Sequence, residues 1–405
     1  MNESDLPVMP TTRTTLLDPP VEYAALREGA PITRVRFPNG LVGWLVTRFE
    51  EGSAVFADPR MSAHRPRHDT LAEDETYDPE NPGGELDPGF VFMDEPDHGL
   101  FRRLLAGRFT PKSVQKNLQP YIDRIVTEHL DAIEAAPKPV DLIEALALPI
   151  PCLVICELLG VPYTDRDGFH HATEVMMDLS HTQEERNKGA RWLIGYITDL
   201  VAAKRADPDS TGLLADLIRD ADAGESFLTD KDLVNIGVLL LFAGHDTTMS
   251  MIGLSALTLL THPGQRERLA GEPSQIGPAI EELLRYLTIV QFGLGRVALE
   301  DLELGGAQIA KGDLVVVAMA AANRDPRAFQ DPDTLDIDRK MARHMAFGYG
   351  VHQCLGQNIA RAELRTILPE LLRRFPDMRL AVEPEQVPMD VHGTNYGVRK
   401  LLVTW

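Results

Sequence analysis

The sequence predicts a mainly α fold with small β-sheets. From residue 114 onward, apolar side chains recur mostly at helical spacing. Runs rich in β-forming residues are few and short, near residues 32–48 and 302–321. Strands and helices do not alternate along the chain as a doubly wound parallel sheet requires. No internal repeat, Gly/Ser linker or long run of like charge divides residues 1–405, so a single domain is expected.

The elements follow in order. Residues 1–20 form a Pro-rich lead-in. Residues 32–37 and 43–48 read as two strands of a hairpin turned by Pro38, Asn39 and Gly40. Residues 65–96 are acidic and crowded with Pro and Gly; a stretch that long without regular structure reads as a substrate-access loop. Helices are expected over 114–133, 142–159, 186–204 and 213–221. The clearest helix is 230–262, closed by Pro263 and about 50 Å long. Thr229 and Asp232 form a capping box at its start. Pro278 stands near the first turn of a helix over 279–286. The short strands of 302–321 turn at Gly305 and Gly306. The last helix, 357–375, carries Leu364, Ile367, Leu368, Leu371 and Phe375 at helical spacing, with a kink expected at Pro369.

Composition narrows the function. The 405 residues are 44% hydrophobic and 25% charged, as in ordinary globular proteins, which excludes disordered and collagenous chains. With 40 Lys and Arg against 61 Asp and Glu, the net charge is −21, which argues against a general nucleic-acid binder. Residues 1–15 carry Pro7 and Pro10 and no apolar core, unlike a secretory signal. The longest apolar runs, 238–243 and 314–322, fall well short of the roughly 20 residues that span a bilayer. A cytoplasmic protein with no membrane association is expected, and a monomer. Cys152 and Cys156, four apart in an apolar stretch, read as small buried hydrophobes.

Cys354 stands in different company. Residues 347–356 read F-G-Y-G-V-H-Q-C-L-G. Glycines at 348 and 350 suit a tight turn in which backbone passes close to something flat or bulky. Cys354 then enters the last helix near its start, where free N–H groups and the helix dipole favour a thiolate. Such a thiolate suits axial ligation of haem iron, which favours O–O cleavage. The loop resembles the cysteine-ligand signature of the cytochrome P450 family, F-G-x-G-x-H/R-x-C-x-G, at every fixed position.

Three further motifs stand in that family's order. Glu282 and Arg285 form an E-x-x-R step on one helix face, similar to the family's buried pair bracing the haem-binding core. The chain departs from the family after it: where many members carry Arg in P-x-R-F, residues 332–335 read P-D-T-L, and Arg339 is the candidate substitute. Residues 243–248, A-G-H-D-T-T, interrupt the long apolar helix with poor helix formers and resemble the family's oxygen-side motif A-G-x-D/E-T-T. By that resemblance Ala243 lies over the haem, while Asp246 and Thr247 organise water and deliver protons to bound dioxygen. His245 falls at the variable position and receives no role. His98 and Arg102 form an H-x-x-x-R pair; with Arg296 and His352 they resemble the family's contacts to the haem propionates. The remaining loop contacts implied are Phe347, Gly348 and Gly356, around the iron ligand Cys354.

The resemblance covers essentially the whole chain, is closest to soluble actinobacterial members, and implies the triangular, mainly helical haem-thiolate fold. It implies a monooxygenase with haem b that inserts one atom of O2 into a C–H bond of a hydrophobic small molecule. The NAD(P)H-derived electrons would come through an acidic ferredoxin and a ferredoxin reductase. Basic clusters support such a partner: Arg102, Arg103, Arg108, Lys112 and Lys116 on one segment, and Arg339, Lys340, Arg343, Arg361 and Arg365 around the cysteine, against Glu363 alone. The family's variable linings fall on Phe90, Val91, Phe92, Met176, Met177, Leu240, Ile289, Val290, Phe292 and Leu294. Alternatives are a non-catalytic haem-thiolate scaffold, a peroxide-dependent variant, or carbon–carbon coupling.

Overall fold

In the computed structural model, which describes residues 5–38, 40–64, 89–340 and 343–405, the helix Asp230–Thr261 organises the rest. Helices Pro149–Leu159, Gln183–Ala206 and Ile276–Leu287 and the strand Gly397–Val398 pack on it. The expected capping box forms: Thr229 Oγ1 accepts from the N–H of Asp232, and Asp232 accepts from the N–H of Thr229 at 2.8 Å. Pro263 opens the next helix, Pro263–Gly271, at the position where a missing N–H costs nothing. By length and composition the long helix could cross a bilayer. Its apolar residues instead join the main core between helices, which accounts for its composition.

The helix is continuous through residues 243–248, so the anticipated interruption does not appear as a break. The hydroxyls there bond backwards: Thr247 Oγ1 donates to Ala243 O at 3.0 Å and Thr248 Oγ1 to Gly244 O at 3.5 Å. Two other expected helices divide. Residues 114–133 fall into Pro111–Asn117 and Gln119–Ala135, because Pro120 restarts the helix in its first turn. Residues 142–159 become a π-turn, Ile143–Ala147, followed by Pro149–Leu159, where Pro149 again lacks the N–H that would continue the ladder. The helix Arg166–Met177 was not anticipated; its buried face is only Phe169, Ala172 and Thr173, too sparse to read as a period.

The sheets are small. Ile32–Arg36 and Val42–Val46 form the expected hairpin, with Ile32 opposite Val46. The second strand pairs in parallel with Leu314–Val317, which pairs antiparallel with Leu294–Ala298, and Met61–Ser62 closes the edge. The lead-in docks on the hairpin: the N–H of Met9 donates to Arg36 O at 2.9 Å, and Met9 is buried. The Gly305–Gly306 turn joins Leu302–Leu304 to Ala307–Ile309. Most of the expected access loop, residues 65–88, lies outside the described residues.

Candidate active site

The cysteine loop is held from three sides. Gly350 has φ +74°, and a Cβ there would stand 2.6 Å from Phe56 O, at the end of helix Phe49–Ala57. The N–H of Cys354 donates to Phe347 O at 2.8 Å, closing the turn. The Arg361 guanidinium lies 4.6 Å from the Phe347 ring centre and donates to Glu281 through Nε at 2.7 Å and Nη2 at 2.8 Å. His344 joins this cluster. Its Nδ1 accepts from the N–H of Ala346, so Nε2 is the nitrogen that donates to Glu281, at 3.0 Å. Burial alone would raise Glu281, but Arg361 and His344 hold it at about 2.

Beneath the loop, Glu282 and Arg285 form a fully buried pair with Nε–Oε2 at 2.7 Å and Nη2–Oε1 at 2.8 Å. Arg339 completes it, its Nε donating to Glu282 Oε2 at 3.1 Å, while Thr334 contributes its backbone carbonyl to Arg339 at 2.9 Å. Arg285 Nη1 also donates to Asn323 O, and the Asn323 side chain accepts from the N–H of Met345 at 2.9 Å. The brace thus reaches the backbone just before the cysteine loop. Removing one member of a buried network of this kind costs about 3–5 kcal/mol.

Cys354 and the Ala243–Thr248 turn face each other across a cavity of about 300 Å³. Ala243 and Cys354 both have accessible surface although they lie deep in the protein, because that surface opens on the cavity. Burial raises the Cys354 thiol; the N–H groups of Gly356 and Gln357 bond to it and, with Arg102 and Arg361, oppose that rise. The dipole argument alone therefore overstates the thiolate, and a bound metal ion would complete its deprotonation. Three larger clefts are surface grooves that contain neither Cys354 nor Thr247.

The four expected cations converge at one edge. The His98 and His352 rings lie 4.0 Å apart. Burial, then the charges of His98 and Arg296, pulls His352 down to about 4. Burial likewise lowers His98, Arg102 and Arg296, the last to about 10. His98, Arg102 and His352 line the cavity, whereas Arg296 stands behind it against the Phe56 ring. His352 Nδ1 is buried, and among the described residues it has no hydrogen-bond partner. Two guanidiniums beside two imidazoles that are kept neutral until an anion arrives, with an orphaned nitrogen, fit a doubly acidic ligand, and a slot between Ala243 and a cysteine sulfur fits a flat one. Those are the attributes of haem, with Phe347, Gly348 and Gly356 also on the wall.

Thr247 lines the cavity, but Asp246 does not. The Asp246 carboxyl lies behind the wall, where Asn395 Nδ2 donates to it at 2.9 Å. Of the expected lining residues, Phe90, Val91, Leu240, Ile289, Val290 and Leu294 border the cavity. Phe92, Met176, Met177 and Phe292 do not; Phe292 belongs instead to a groove under the lead-in, and Met177 Sδ accepts from Thr394 Oγ1. Cys152 and Cys156 are buried on helix Pro149–Leu159.

Sequence reasoning missed Glu363. It lines the cavity from the cysteine helix, Gln357–Arg374, is buried, and has no partner for Oε2 among the described residues, so desolvation pushes its carboxyl strongly toward the protonated form. The signal was available: Glu363 shares a face with Ile359, Ala362 and Ile367, where a carboxylate is out of place.

Comparisons with known proteins give the family and the fold. Residues 169–399 match the family model described as Cytochrome P450. The chain is 39% identical to Vitamin D3 dihydroxylase of Streptomyces griseolus over 99% of its length and 98% of that protein's. It is 40% identical to Pentalenic acid synthase of Streptomyces avermitilis, covering 98% and 96%. Among solved structures, the mycinamicin VIII C21 methyl hydroxylase of Micromonospora griseorubida superposes with a TM-score of 0.88 at 35% identity, covering 99% of this chain and 100% of that one.

Proposed function

The chain belongs to the cytochrome P450 family, and we propose that this member oxygenates a C–H bond of an uncharged hydrophobic small molecule, a secondary metabolite or xenobiotic. We place it in the cytoplasm, with electrons arriving from a separate acidic ferredoxin and its reductase. The observation that carries the reading is the shared cavity: the Cys354 sulfur and the Thr247 side chain open on one largely apolar space, and among the described residues the ionisable side chains that line it sit at its edge or on the cysteine helix. The hydroxylase names of the relatives support the same reaction class.

Cys354 would hold the haem iron, and His98, Arg102, Arg296 and His352 its carboxylates. Bound there, haem supplies the activation of dioxygen, with thiolate ligation favouring O–O cleavage. The chain's own residues do the rest. Phe90, Val91, Leu240, Ile289, Val290 and Leu294 exclude water and orient an apolar substrate. Thr247 Oγ1 commits its proton to Ala243 O, so its lone pairs face the cavity as an acceptor for a proton donor there. Two acids stand ready to supply protons. Asp246 is raised by burial on one side, and Glu363 is raised on the other.

A reduced carbon-monoxide difference spectrum tests the assignment. The wild-type protein should show the thiolate-type Soret shift, and Cys354→Ala should lose it. An unchanged shift in Cys354→Ala ends the proposal for that residue. A spectral binding screen with uncharged polycyclic and macrocyclic compounds then narrows the substrate.

A further inference from the structure

Asp246 immediately precedes Thr247, yet its carboxyl lies outside the cavity. The charged groups facing it are Glu174, from helix Arg166–Met177, and Asp390, from strand Met389–Asp390. Both are acidic, and among the described residues no cation pairs with Asp246. The side-chain donor it has is Asn395, itself buried, with Nδ2 at 2.9 Å from Oδ2. Against a carboxylate only the nitrogen end of that amide can face inward.

The backbone of Asn395 is hydrogen-bonded to the segment that borders the cavity. Val290 and Asn395 form an antiparallel bridge. On either side, the N–H of Tyr396 donates to Ile289 O at 2.7 Å and the N–H of Gln291 to Thr394 O at 3.1 Å. Ile289 and Val290 border the cavity on the other side of the same ladder. A body pressing on Val290 from within the cavity therefore pushes on the segment that holds Asp246.

We propose that Asn395 is a positioning residue for Asp246: its amide fixes the acid behind Thr247 and ties it to the wall at residues 289–291, so that wall and acid move together. The inference rests on the monooxygenase reading above. Its physical basis is a balance. Burial and two neighbouring acids favour the neutral carboxyl, and the Asn395 hydrogen bond favours the charged one. Without that bond the carboxyl is released to rotate and holds its proton to higher pH.

Infrared difference spectroscopy of the resting holoenzyme reads this directly. The protonated-carboxyl band that disappears in Asp246→Asn is followed against pH. In Asn395→Leu its midpoint should rise by about one to two pH units, the effect of losing one hydrogen bond to a charged group. Asn395→Asp, which adds a third acid, should rise at least as far, and Asn395→Ser, which keeps a donor, should fall between. Coincident midpoints in wild-type and Asn395→Leu protein overturn the proposal. Should the Leu variant not fold, the Asp and Ser variants carry the same comparison, and unmoved midpoints in both overturn it equally. The carbon-monoxide spectrum is recorded alongside. Its absence in wild-type protein defeats the monooxygenase reading, whereas a normal spectrum with an unmoved midpoint defeats the Asn395 proposal alone.

Discussion

His245 occupies the variable position of the oxygen-side motif, and sequence reasoning gave it no role. Its surroundings give it a measurable one. Nδ1 donates to Leu241 O at 3.4 Å, and Nε2, left as an acceptor, faces His170 Nδ1 at 3.3 Å. Burial, reinforced by His170, lowers it from its ordinary 6.5 to about 4. The unfolded chain therefore binds a proton below pH 6.5 that the folded chain refuses. Stability present above pH 6.5 is lost as pH falls toward 4, by about 2 kcal/mol at pH 5. His245→Leu should remove that component, so its thermal midpoint should drop less between pH 7 and pH 5 than the wild type's. Equal drops would show that the imidazole is not held neutral. The same scale shows what a sequence conveys. Cys354, Thr247, His98 and Arg102 are legible because short motifs fix their types and spacing. Asn395 and Glu281 are not, because their partners lie 149 and 80 residues away, a separation no local pattern records.

Among the elements, the long helix was legible almost to the residue, since a capping box and a following proline mark both ends. The divided helices were not, because Pro120 and Pro149 fall within apolar runs whose period continues across the break. The cysteine loop shows the converse: its motif was plain, but its support was hidden in the distant helix Phe49–Ala57. Gly350 is where the two meet. An L-residue pays about 1–2 kcal/mol for a left-handed conformation, and here its Cβ would also displace Phe56 O. Gly350→Ala should therefore shift the loop and lower the haem content of purified protein. Gly264→Ala, whose Cβ meets nothing within 4 Å, serves as control and should load normally. Full loading in Gly350→Ala would mean that the loop does not need this contact.

For the whole molecule, the net charge of −21 is a poor guide to the electrostatics that matter. It argues against a general nucleic-acid binder and says nothing about a protein partner. The structure also thins the basic segments that suggested one. Arg339 and Arg361 are committed to Glu282 and Glu281, Arg108 pairs with Asp216, and Arg102 faces the cavity. Arg103, Lys112, Lys116, Lys340, Arg343 and Arg365 remain exposed. The two segments are joined, since Asn358 Nδ2 donates to Phe109 O at 2.8 Å. Six exposed cations on these two segments of an otherwise acidic protein form a local field that an acidic ferredoxin would feel before contact. Steering of this kind acts on the association rate and is screened at distances beyond about 10 Å in 0.1 M salt. Lys112→Glu combined with Arg343→Glu should slow ferredoxin-supported reduction about tenfold at low salt, and the variant and wild-type rates should converge as salt rises. Stopped-flow reduction across a salt series makes the measurement. Rates that coincide at low salt would move the docking site elsewhere; a deficit that persists at high salt would mean that these side chains act by contact and not by field.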